Sequence, residues 1–272
     1  SSSPAARALY LQADGTPKPA GSELRNPELA PTLRALAAGG ADAFYRGPIA
    51  RAIATTVQGH PNPGTLSEQD LAAYTVREVE PLCRPYRSYR VCGMPPSSSG
   101  GIAVLQMLGI LARFDMGTVR PVSAESAHLL AEAGRLAFAD RNRYVADDRY
   151  AAVPVAGLID AGYLRARSAL IRPQASMQRA QPGTPPGAEL AWAGDPGGEA
   201  SGTSHLSVVD RDGNAVSMTT TIESSFGARL MVRGFLLNNQ LTDFSFTPAQ
   251  NGRPVANRGA LEEPPAAMVR RF

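Results

Sequence analysis

The stretch from Thr203 to Thr221 constrains the fold more than any other part of the sequence. Within it, the runs TSHLSVVD and NAVSMTTT flank the tripeptide RDG. Alternating residues on both sides of an Asp-Gly turn predict a β-hairpin. Threonine has a high strand propensity, so hydroxyls at both ends of a hairpin have a simple structural explanation. The other explanation is that one of these threonines is a nucleophile.

The length of the turn decides which side chains share a face of the hairpin. A three-residue loop that ends with Gly213 in the left-handed conformation pairs Thr203 with Thr221. Their Cβ atoms then lie about 4.5 to 5.5 Å apart. A two-residue turn would instead pair Thr203 with Ile222 and send Thr221 to the other face. We favour the three-residue loop.

The residue before the hairpin is glycine, and a cut at this point would change its chemistry. Cleavage between Gly202 and Thr203 would make Thr203 an N-terminal residue, whose α-amine has an ordinary pKa of about 7.7 to 8.0. That amine can take the proton from the hydroxyl of the same residue, so the threonine would carry its own base. Glu223 follows Thr221 by two residues, so strand alternation predicts that it projects from the same face, where it would attract an ammonium group.

The segment from 172 to 202 is rich in proline and glycine and has no apolar period. This composition predicts a flexible loop, longer than those usually found inside compact domains. Such a loop would let the new chain end at Thr203 move away after a cut. We discount a catalytic-triad role for His205, because an N-terminal threonine already has a base.

The rest of the chain is predicted to be mostly helical, which makes the fold class α+β. Caps and glycines predict helices over 26–39, 48–59 and from Ser67 onward, a hairpin within 74–92, and a buried helix of about a dozen residues after Gly101. The longest helix is expected over 123–145. Its apolar stripe is predicted to be Ala127, Leu130, Ala131, Gly134, Leu136 and Phe138.

Composition excludes several classes of partner. The 272 residues are 43% apolar and carry a net charge of only +3, with scattered arginines, so a nucleic-acid surface is not expected. No apolar run reaches the roughly 20 residues of a membrane span, and the N-terminal residues lack the pattern of a secretory signal. The sequence does not decide between a cytosolic protein and one whose export signal lies elsewhere. Cys83 and Cys92 lack metal-ligand spacing; a disulfide and two ordinary apolar thiols both remain open, with thiols preferred.

The sequence after the hairpin, FGARLMVRGFLLNNQLTDFSF, closely resembles the gamma-glutamyltranspeptidase family when taken together with TSHLSVVDRDGNAVSMTTTIESSFG. These runs are similar to the start of the small subunit of that family, which belongs to the N-terminal-nucleophile hydrolases. Further landmarks resemble the second half of the large subunit: DAFYRGPIA, MPPSSSGG and HLLAEAGRLAFADRNRY. The similarity covers about residues 5 to 258 and implies an αββα sandwich.

The resemblance implies a function and a set of site residues. It divides the chain at the cleavage site, residues Gly202 and Thr203, into large-subunit residues 1–202 and small-subunit residues 203–272, which pair after self-cleavage. The implied reaction moves the γ-glutamyl group of glutathione or a related amide to water, an amino acid or a peptide through an ester on Thr203, without a metal or other cofactor. Many members are periplasmic or extracellular. The residues carried over are catalytic Thr203 and Thr221 and the donor-binding Glu223, Gln240 and Asp243, of which Glu223 stands where many members have asparagine.

The chain departs from the family pattern at both ends, which leaves two alternatives open. It starts inside the large subunit, without the region that supplies an arginine for the donor carboxylate. The tail 259–272 has Glu262 and Glu263 where basic residues are expected, and Ala266 and Ala267 where a serine pair is expected, as a frameshift would produce. One alternative is therefore an inert, truncated remnant of such an enzyme. The other is a related glutaryl or cephalosporin acylase.

Overall fold

The computed structural model describes residues 3–188, 202–245, 247 and 249–256, with only the backbone of residues 242 and 243. The predicted tail 259–272 lies outside the described residues. Helices and antiparallel strand pairs make up the described chain, so the expected α+β class is confirmed. The chain forms two compact units, one from residues 1–77 and 199–240 and the other from 78–198 and 241–272.

Nine α-helices, one 3₁₀ helix and eight strands lie within the described residues. The helices are α1 (Pro4–Tyr10), α2 (Leu29–Gly39), α3 (Asp42–Tyr45), α4 (Pro48–Gln58), α5 (Glu68–Ala72), α6 (Gly100–Leu111), α7 (Ala124–Tyr144), α8 (Val155–Leu158) and α9 (Ala161–Ser168). The strands are β1 (Leu82–Tyr86), β2 (Tyr89–Gly93), β3 (Thr203–Val209), β4 (Ala215–Thr221), β5 (Met231–Val232), β6 (Phe235–Leu236), β7 (Ala249–Gln250) and β8 (Arg253–Pro254). Each strand pairs only with its sequence neighbour in this part of the chain, as β1–β2, β3–β4, β5–β6 and β7–β8.

Local signals in the first unit set most ends of its helices as predicted, although α2 begins at Leu29 and not directly after Asn26. Ser67 and Asp70 form a capping box at the start of α5, since each side chain bonds the backbone N–H of the other residue. Helix α4 ends at Gly59, which is its C-terminal cap. The side chain of Asn26 accepts a hydrogen bond from Leu29 N, so it caps α2 two residues before the helical cap position.

The helices of the first unit hold the chain that returns after the β3–β4 hairpin. Val232 packs against Ile49 and Ile53 of α4 in a buried apolar cluster. Asn26 Nδ2 donates to the carbonyl oxygen of Gly234 at 2.7 Å. A Cβ atom at Gly234 would stand 2.3 Å from the backbone nitrogen of Leu29, so only glycine permits this approach. The β5–β6 hairpin is therefore fixed on α2 and α4.

The second unit is built around α7, but the predicted apolar stripe of this helix is wrong. Of the six residues predicted, only Leu136 is buried, and Leu130 and Phe138 are 46% and 44% exposed. Helix α7 instead buries Leu129 and Ala133 with Leu136, in a cluster that includes residues of α6 and α9. Two carboxylates on the same face are also buried, which hid the true stripe from a search for apolar residues.

Those carboxylates anchor the start of the segment 172–202. Glu132 Oε2 accepts a hydrogen bond from Met177 N at 2.9 Å, and Asp140 Oδ1 accepts one from Gly183 N at 2.7 Å. Burial raises the pKa of the Asp140 carboxyl, while the Arg167 guanidinium and the Gly183 N–H act in the opposite direction. Residues 172–188 contain no helix or strand, as expected, yet they are tied to α7. The flexibility of the segment stays a prediction.

The two cysteines form a disulfide, so the preferred interpretation as thiols is wrong. Cys83 and Cys92 are directly paired across β1 and β2, with Cα atoms 4.1 Å apart. The sequence places them symmetrically about the turn, so strand pairing brings the two residues directly opposite each other. None of the helices within the described residues combines the length and the apolar character needed to cross a bilayer.

Candidate active site

The β3–β4 hairpin has the register that the three-residue loop predicts. Thr203 pairs with Thr221, and the pairing runs without a slip to the turn. Asp210 N donates to Asn214 O at 3.0 Å, and Gly213 has a φ of +85°. The expected left-handed glycine and the cross-strand threonine pair are both confirmed.

One face of the hairpin is mostly polar and the other is mostly apolar, and directly paired residues project to the same side. The polar face carries three pairs that include hydroxyls: Thr203 with Thr221, His205 with Thr219, and Ser207 with Ser217. The apolar face carries Leu206, Val208, Val216 and Met218, which are 40% to 57% exposed, together with the hydroxyl pair Ser204 and Thr220 near the open end of the hairpin.

Thr221 contacts the carbonyl group of the predicted cleavage site. Its Oγ1 accepts a hydrogen bond from Glu223 N at 2.8 Å and donates to the carbonyl oxygen of Gly202 at 3.4 Å. The N–H of Glu223 occupies one acceptor position of the hydroxyl, and the hydroxyl proton remains available to the Gly202 oxygen. A donor in this place stabilises negative charge on the Gly202 oxygen if a nucleophile attacks that carbonyl.

Gly202 lies in a place that tolerates no side chain. A Cβ atom built on it would stand 1.9 Å from the carbonyl oxygen of Glu223. This distance is far below van der Waals contact, so the backbone at Glu223 fixes the approach of Gly202. The glycine before Thr203 is therefore required by packing, a reason that the sequence did not reveal.

Glu223 is brought close to the hairpin end, but in a conformation that strand alternation does not describe. Strand β4 ends at Thr221, and Glu223 has a φ of +75°. A non-glycine residue in the left-handed region is uncommon and is held by its surroundings. The rule that placed the Glu223 side chain on the face of Thr221 no longer applies past the end of the strand. The backbone N–H of Glu223 contacts Thr221, and its carbonyl group lies against Gly202.

Asn239 connects the end of the hairpin to the segment that carries Gln240. Its Oδ1 accepts from Ser224 N at 3.0 Å, and its Nδ2 donates to Ser224 Oγ at 3.2 Å. Its backbone N–H donates to Ile222 O. Sequence reasoning missed Asn239 and Ser224, and the only available signal was the pair of asparagines just before Gln240.

Gln240 begins a short 3₁₀ helix, Gln240–Asp243, and is partly buried. Its backbone N–H is capped by Asn238 Oδ1 at 3.1 Å. Asn239 is hydrogen-bonded to Ile222 and Ser224, the two residues on either side of Glu223. Gln240 is the next residue after Asn239, so these bonds tie its position to that of Glu223. The side chain of Asp243 lies outside the described residues, so the geometry bears only on Gln240 and Glu223 among the predicted donor-binding residues.

His205 lies on the polar face but contacts only hydroxyl groups in the described chain. Its Nδ1 is 2.9 Å from Thr219 Oγ1, and its Nε2 is 3.1 Å from Ser217 Oγ and 3.3 Å from Ser207 Oγ. These contacts cross-link the two strands. They give this histidine a structural role in the pairing of β3 with β4.

The turn of the hairpin is stabilised by a carboxylate. Asp210 Oδ1 accepts from Asp212 N and Asn214 N, each at 2.9 Å, and Oδ2 accepts from Asn214 Nδ2 at 2.8 Å. The Asn214 side chain and backbone hydrogen bonds lower the pKa of the Asp210 carboxyl below its ordinary value. An ionised Asp210 therefore fixes the loop that sets the register of Thr203 and Thr221.

Comparison with known proteins agrees with this geometry. The sequence model described as Gamma-glutamyltranspeptidase matches residues 1–266. The chain belongs to the gamma-glutamyltranspeptidase family. It is 39% identical over 239 residues to the glutathione hydrolase proenzyme of Escherichia coli strain K12, a match that covers 86% of this chain and 39% of the relative. The chain thus spans about two fifths of the length of that relative.

Solved structures of the gamma-glutamyltranspeptidase family and of an acylase resemble this fold. The gamma-glutamyltranspeptidase of Helicobacter pylori matches with a TM-score of 0.60 and 28% identity, covering 65% of this chain and 51% of that one. The cephalosporin acylase of Bacillus halodurans matches with a TM-score of 0.71 and 28% identity, covering 90% of this chain and 41% of that one. The family assignment drawn from the hairpin and its following segment is confirmed.

Proposed function

We propose that this chain carries the nucleophile of an enzyme that transfers or hydrolyses the γ-glutamyl group of glutathione and related amides. The observation that carries the proposal is the position of Thr203, directly across from Thr221, whose hydroxyl donates to the carbonyl oxygen of Gly202. Family membership and the named glutathione hydrolase relative support the choice of substrate.

The first step is self-cleavage. Thr203 Oγ attacks the carbonyl carbon of Gly202, its proton passes to the departing Thr203 nitrogen, and the peptide bond becomes an ester. Charge that develops on the Gly202 oxygen is stabilised by the hydroxyl of Thr221. Water then hydrolyses the ester, which leaves Gly202 with a carboxylate and Thr203 with a free hydroxyl and a free α-amine.

The second step is acyl transfer from the donor. The α-amine of Thr203 takes the proton from its own hydroxyl, and Oγ attacks the γ-carbonyl of the donor. The amide bond breaks, and the leaving amine receives the proton that the α-amine holds. The γ-glutamyl ester on Thr203 is then released by water or by the amino group of an amino acid or peptide.

Donor recognition is assigned to three residues after the hairpin. Glu223 and Asp243 supply carboxylates for the α-ammonium group of the donor, and Gln240 supplies an amide. Support comes from the hydrogen bonds of Asn239 to Ile222 and Ser224. These bonds join the residues on either side of Glu223 to the residue just before Gln240. Carboxylates favour a cation and disfavour an anion at the same place.

We also infer that the hairpin belongs to an αββα sandwich and that the pieces on either side of the Gly202–Thr203 bond remain paired as large and small subunits. Support comes from the two faces of the hairpin, since a strand pair with one polar and one apolar face is typical of a layered sheet. The exposed residues Leu206, Val208, Val216 and Met218 provide the apolar side that such layering covers.

An acylase that removes glutaryl side chains is the second candidate. The likeness to the cephalosporin acylase of Bacillus halodurans favours it. The two functions differ in the donor, because a glutaryl group lacks the α-ammonium that Glu223 would attract. Release of the aniline from γ-glutamyl and glutaryl anilides therefore tests the proposal. Faster release from the γ-glutamyl compound, lost in Thr203→Ala, supports transpeptidase chemistry, and faster release from the glutaryl compound contradicts it.

A further inference from the structure

A cavity with no part in the proposed chemistry lies within the unit of residues 78–198. Its volume is about 450 Å³, and it is bounded by β1, the turn before β2, the end of α6 and helix α9. Sites for small molecules are typically about 300 to 1,000 Å³. The cavity is therefore large enough for a compact organic ligand.

The cavity has an apolar floor. The apolar lining residues come from α6, its C-terminal end and α9: Leu105, Leu108, Gly109, Ala112, Ala161 and Leu164. A Cβ atom at Gly109 would stand 2.4 Å from Leu164 Cδ1, so the absence of a side chain lets α6 and α9 approach closely. The floor is thus formed by the contact between two helices and is suited to hydrocarbon.

The rim of the cavity is strongly basic. Four arginines line it, namely Arg84, Arg87, Arg113 and Arg165, and none of the described lining residues carries a carboxylate. Asp160 lies near this rim: the Tyr163 N–H holds the pKa of its carboxyl below the ordinary value, and the Arg165 and Arg84 guanidiniums lower it further. The exposed carboxylate of Asp160 thus interacts with two of the four arginines, Arg84 and Arg165.

Arg84 is incompletely hydrogen-bonded within the described chain. Its Nη1 is buried and makes no hydrogen bond to the described residues. A buried N–H group without an acceptor is costly, and the cost is greater for a charged group. By contrast, Arg113 Nη2 donates to the carbonyl oxygen of Ile171 at 3.0 Å, and its guanidinium carbon lies 4.5 Å from the ring centre of Phe114. Arg113 is therefore held in position, while Arg84 Nη1 lacks an acceptor within the described chain.

We propose that this cavity binds a small organic anion with an apolar body, such as an alkyl or aryl carboxylate or phosphate ester. The acid group lies among the arginines, because guanidinium groups bind carboxylates and phosphates through paired hydrogen bonds. The apolar body lies against Leu105, Leu108 and Leu164. None of the residues that line this cavity belongs to the proposed active site, and binding needs no covalent step.

Isothermal titration calorimetry on the full chain, carrying Thr203→Ala so that the proposed nucleophile is absent, tests the proposal. Octanoate probes both features of the cavity, octanol probes only the apolar floor, and inorganic phosphate probes only the arginines. We expect octanoate to bind with one-to-one stoichiometry and at least about tenfold more tightly than either control compound. Equal affinity for octanol or for phosphate, or no saturable octanoate binding, would overturn the proposal.

Two variants locate the binding. Arg84→Gln removes the guanidinium and should weaken octanoate binding by roughly tenfold or more, as expected for loss of a charge-assisted hydrogen bond. Ala112→Phe places a ring over the floor from the exposed end of α6 and should abolish binding. Arg90→Gln, an exposed arginine outside the cavity, is the matched control. Unchanged octanoate binding in both cavity variants, each with a wild-type melting temperature, contradicts the assignment.

Discussion

The hydroxyl of Thr221 lies 3.4 Å from the carbonyl oxygen of Gly202. Thr203 must attack the carbon of this carbonyl group if the chain cleaves itself. The same hydroxyl accepts a hydrogen bond from the N–H of Glu223. The register of β3 and β4, the hydroxyl of Thr221 and the conformation of Glu223 therefore together define the surroundings of the Gly202–Thr203 peptide bond. The turn at Asp210 contributes from the other end of the hairpin, because it sets which residues face each other.

Replacing Thr221 with valine tests the role of this hydroxyl. Thr221→Val keeps the shape of the side chain, leaves the Glu223 N–H without its acceptor and removes the donor to Gly202. We expect cleavage at Gly202 to slow by about tenfold to hundredfold. This is no more than the usual effect of losing an oxyanion donor, because the hydrogen bond from Thr221 to the Gly202 oxygen is long and exposed. The rate is measured by gel electrophoresis over time. Thr220→Val, on the opposite face, is the control, and equal slowing in both variants would contradict the role.

Replacing Gly202 with alanine tests the packing at the cleavage site. The added Cβ atom would overlap the carbonyl oxygen of Glu223, so we expect Gly202→Ala to displace the scissile bond from Thr221 and prevent cleavage. Gly100→Ala is the matched control, since a Cβ atom there would come no closer than 3.9 Å to Ser98 Oγ. Mass spectrometry of both purified variants gives the result. Normal cleavage of Gly202→Ala would show that the close approach to Glu223 is not required.

Asn239 is predicted to position the chain between the hairpin and Gln240. Asn239→Ala removes both side-chain bonds to Ser224, which should cost roughly 1 to 3 kcal/mol of stability and slow cleavage. Chemical denaturation and the cleavage time course measure the two effects. Asn62→Ala, at an exposed position in the same unit, provides the control. A wild-type cleavage rate in Asn239→Ala would remove the positioning role.

The turn of the hairpin should respond to acid. The folded-state pKa of Asp210 is lowered, so the stability it contributes is present above the unfolded pKa and is lost as the pH falls through the folded pKa. Asp210→Asn cannot ionise. We therefore expect wild type to be the more stable protein at neutral pH, with the difference disappearing in strong acid. Urea denaturation of both proteins across this range measures it, and a difference that does not change with pH would contradict the assignment.

Replacing His205 distinguishes two candidate bases, the α-amine of Thr203 and the imidazole of His205. If the α-amine of Thr203 is the base, γ-glutamyl anilide hydrolysis should fall as the pH drops below the amine pKa of about 7.7 to 8.0. His205→Gln should leave the position of that fall unchanged, because His205 contacts only Thr219, Ser217 and Ser207 in the described chain. The test is the pH profile of both proteins. A shifted or flattened profile in the variant would indicate that the histidine acts as the base.

The parts of the fold that depend on short-range rules could be predicted from the sequence. Counting back from Gly213 led to the pairing of Thr203 with Thr221, because hairpin register follows from loop length. The capping box of Ser67 and Asp70 and the end of α4 at Gly59 follow from equally local chemistry.

The parts that depend on distant packing could not be predicted in this way. The buried face of α7 contains carboxylates whose partners lie many residues away, such as Met177 for Glu132, so a search for apolar residues chose the wrong stripe. Glu223 leaves the strand with a positive φ, which alternation cannot anticipate. Asn239 gains its role only when the β5–β6 hairpin folds back onto the chain after β4.

The most direct test of self-cleavage is mass spectrometry of the purified chain after incubation at neutral pH, with Thr203→Ala treated in parallel. We expect two fragments from the wild-type chain, one ending at Gly202 and one beginning with Thr203 and bearing a free α-amine, and a single intact species from the variant. A wild-type chain that stays intact, or a variant that is cut at the same bond, would contradict the role of Thr203 as the nucleophile.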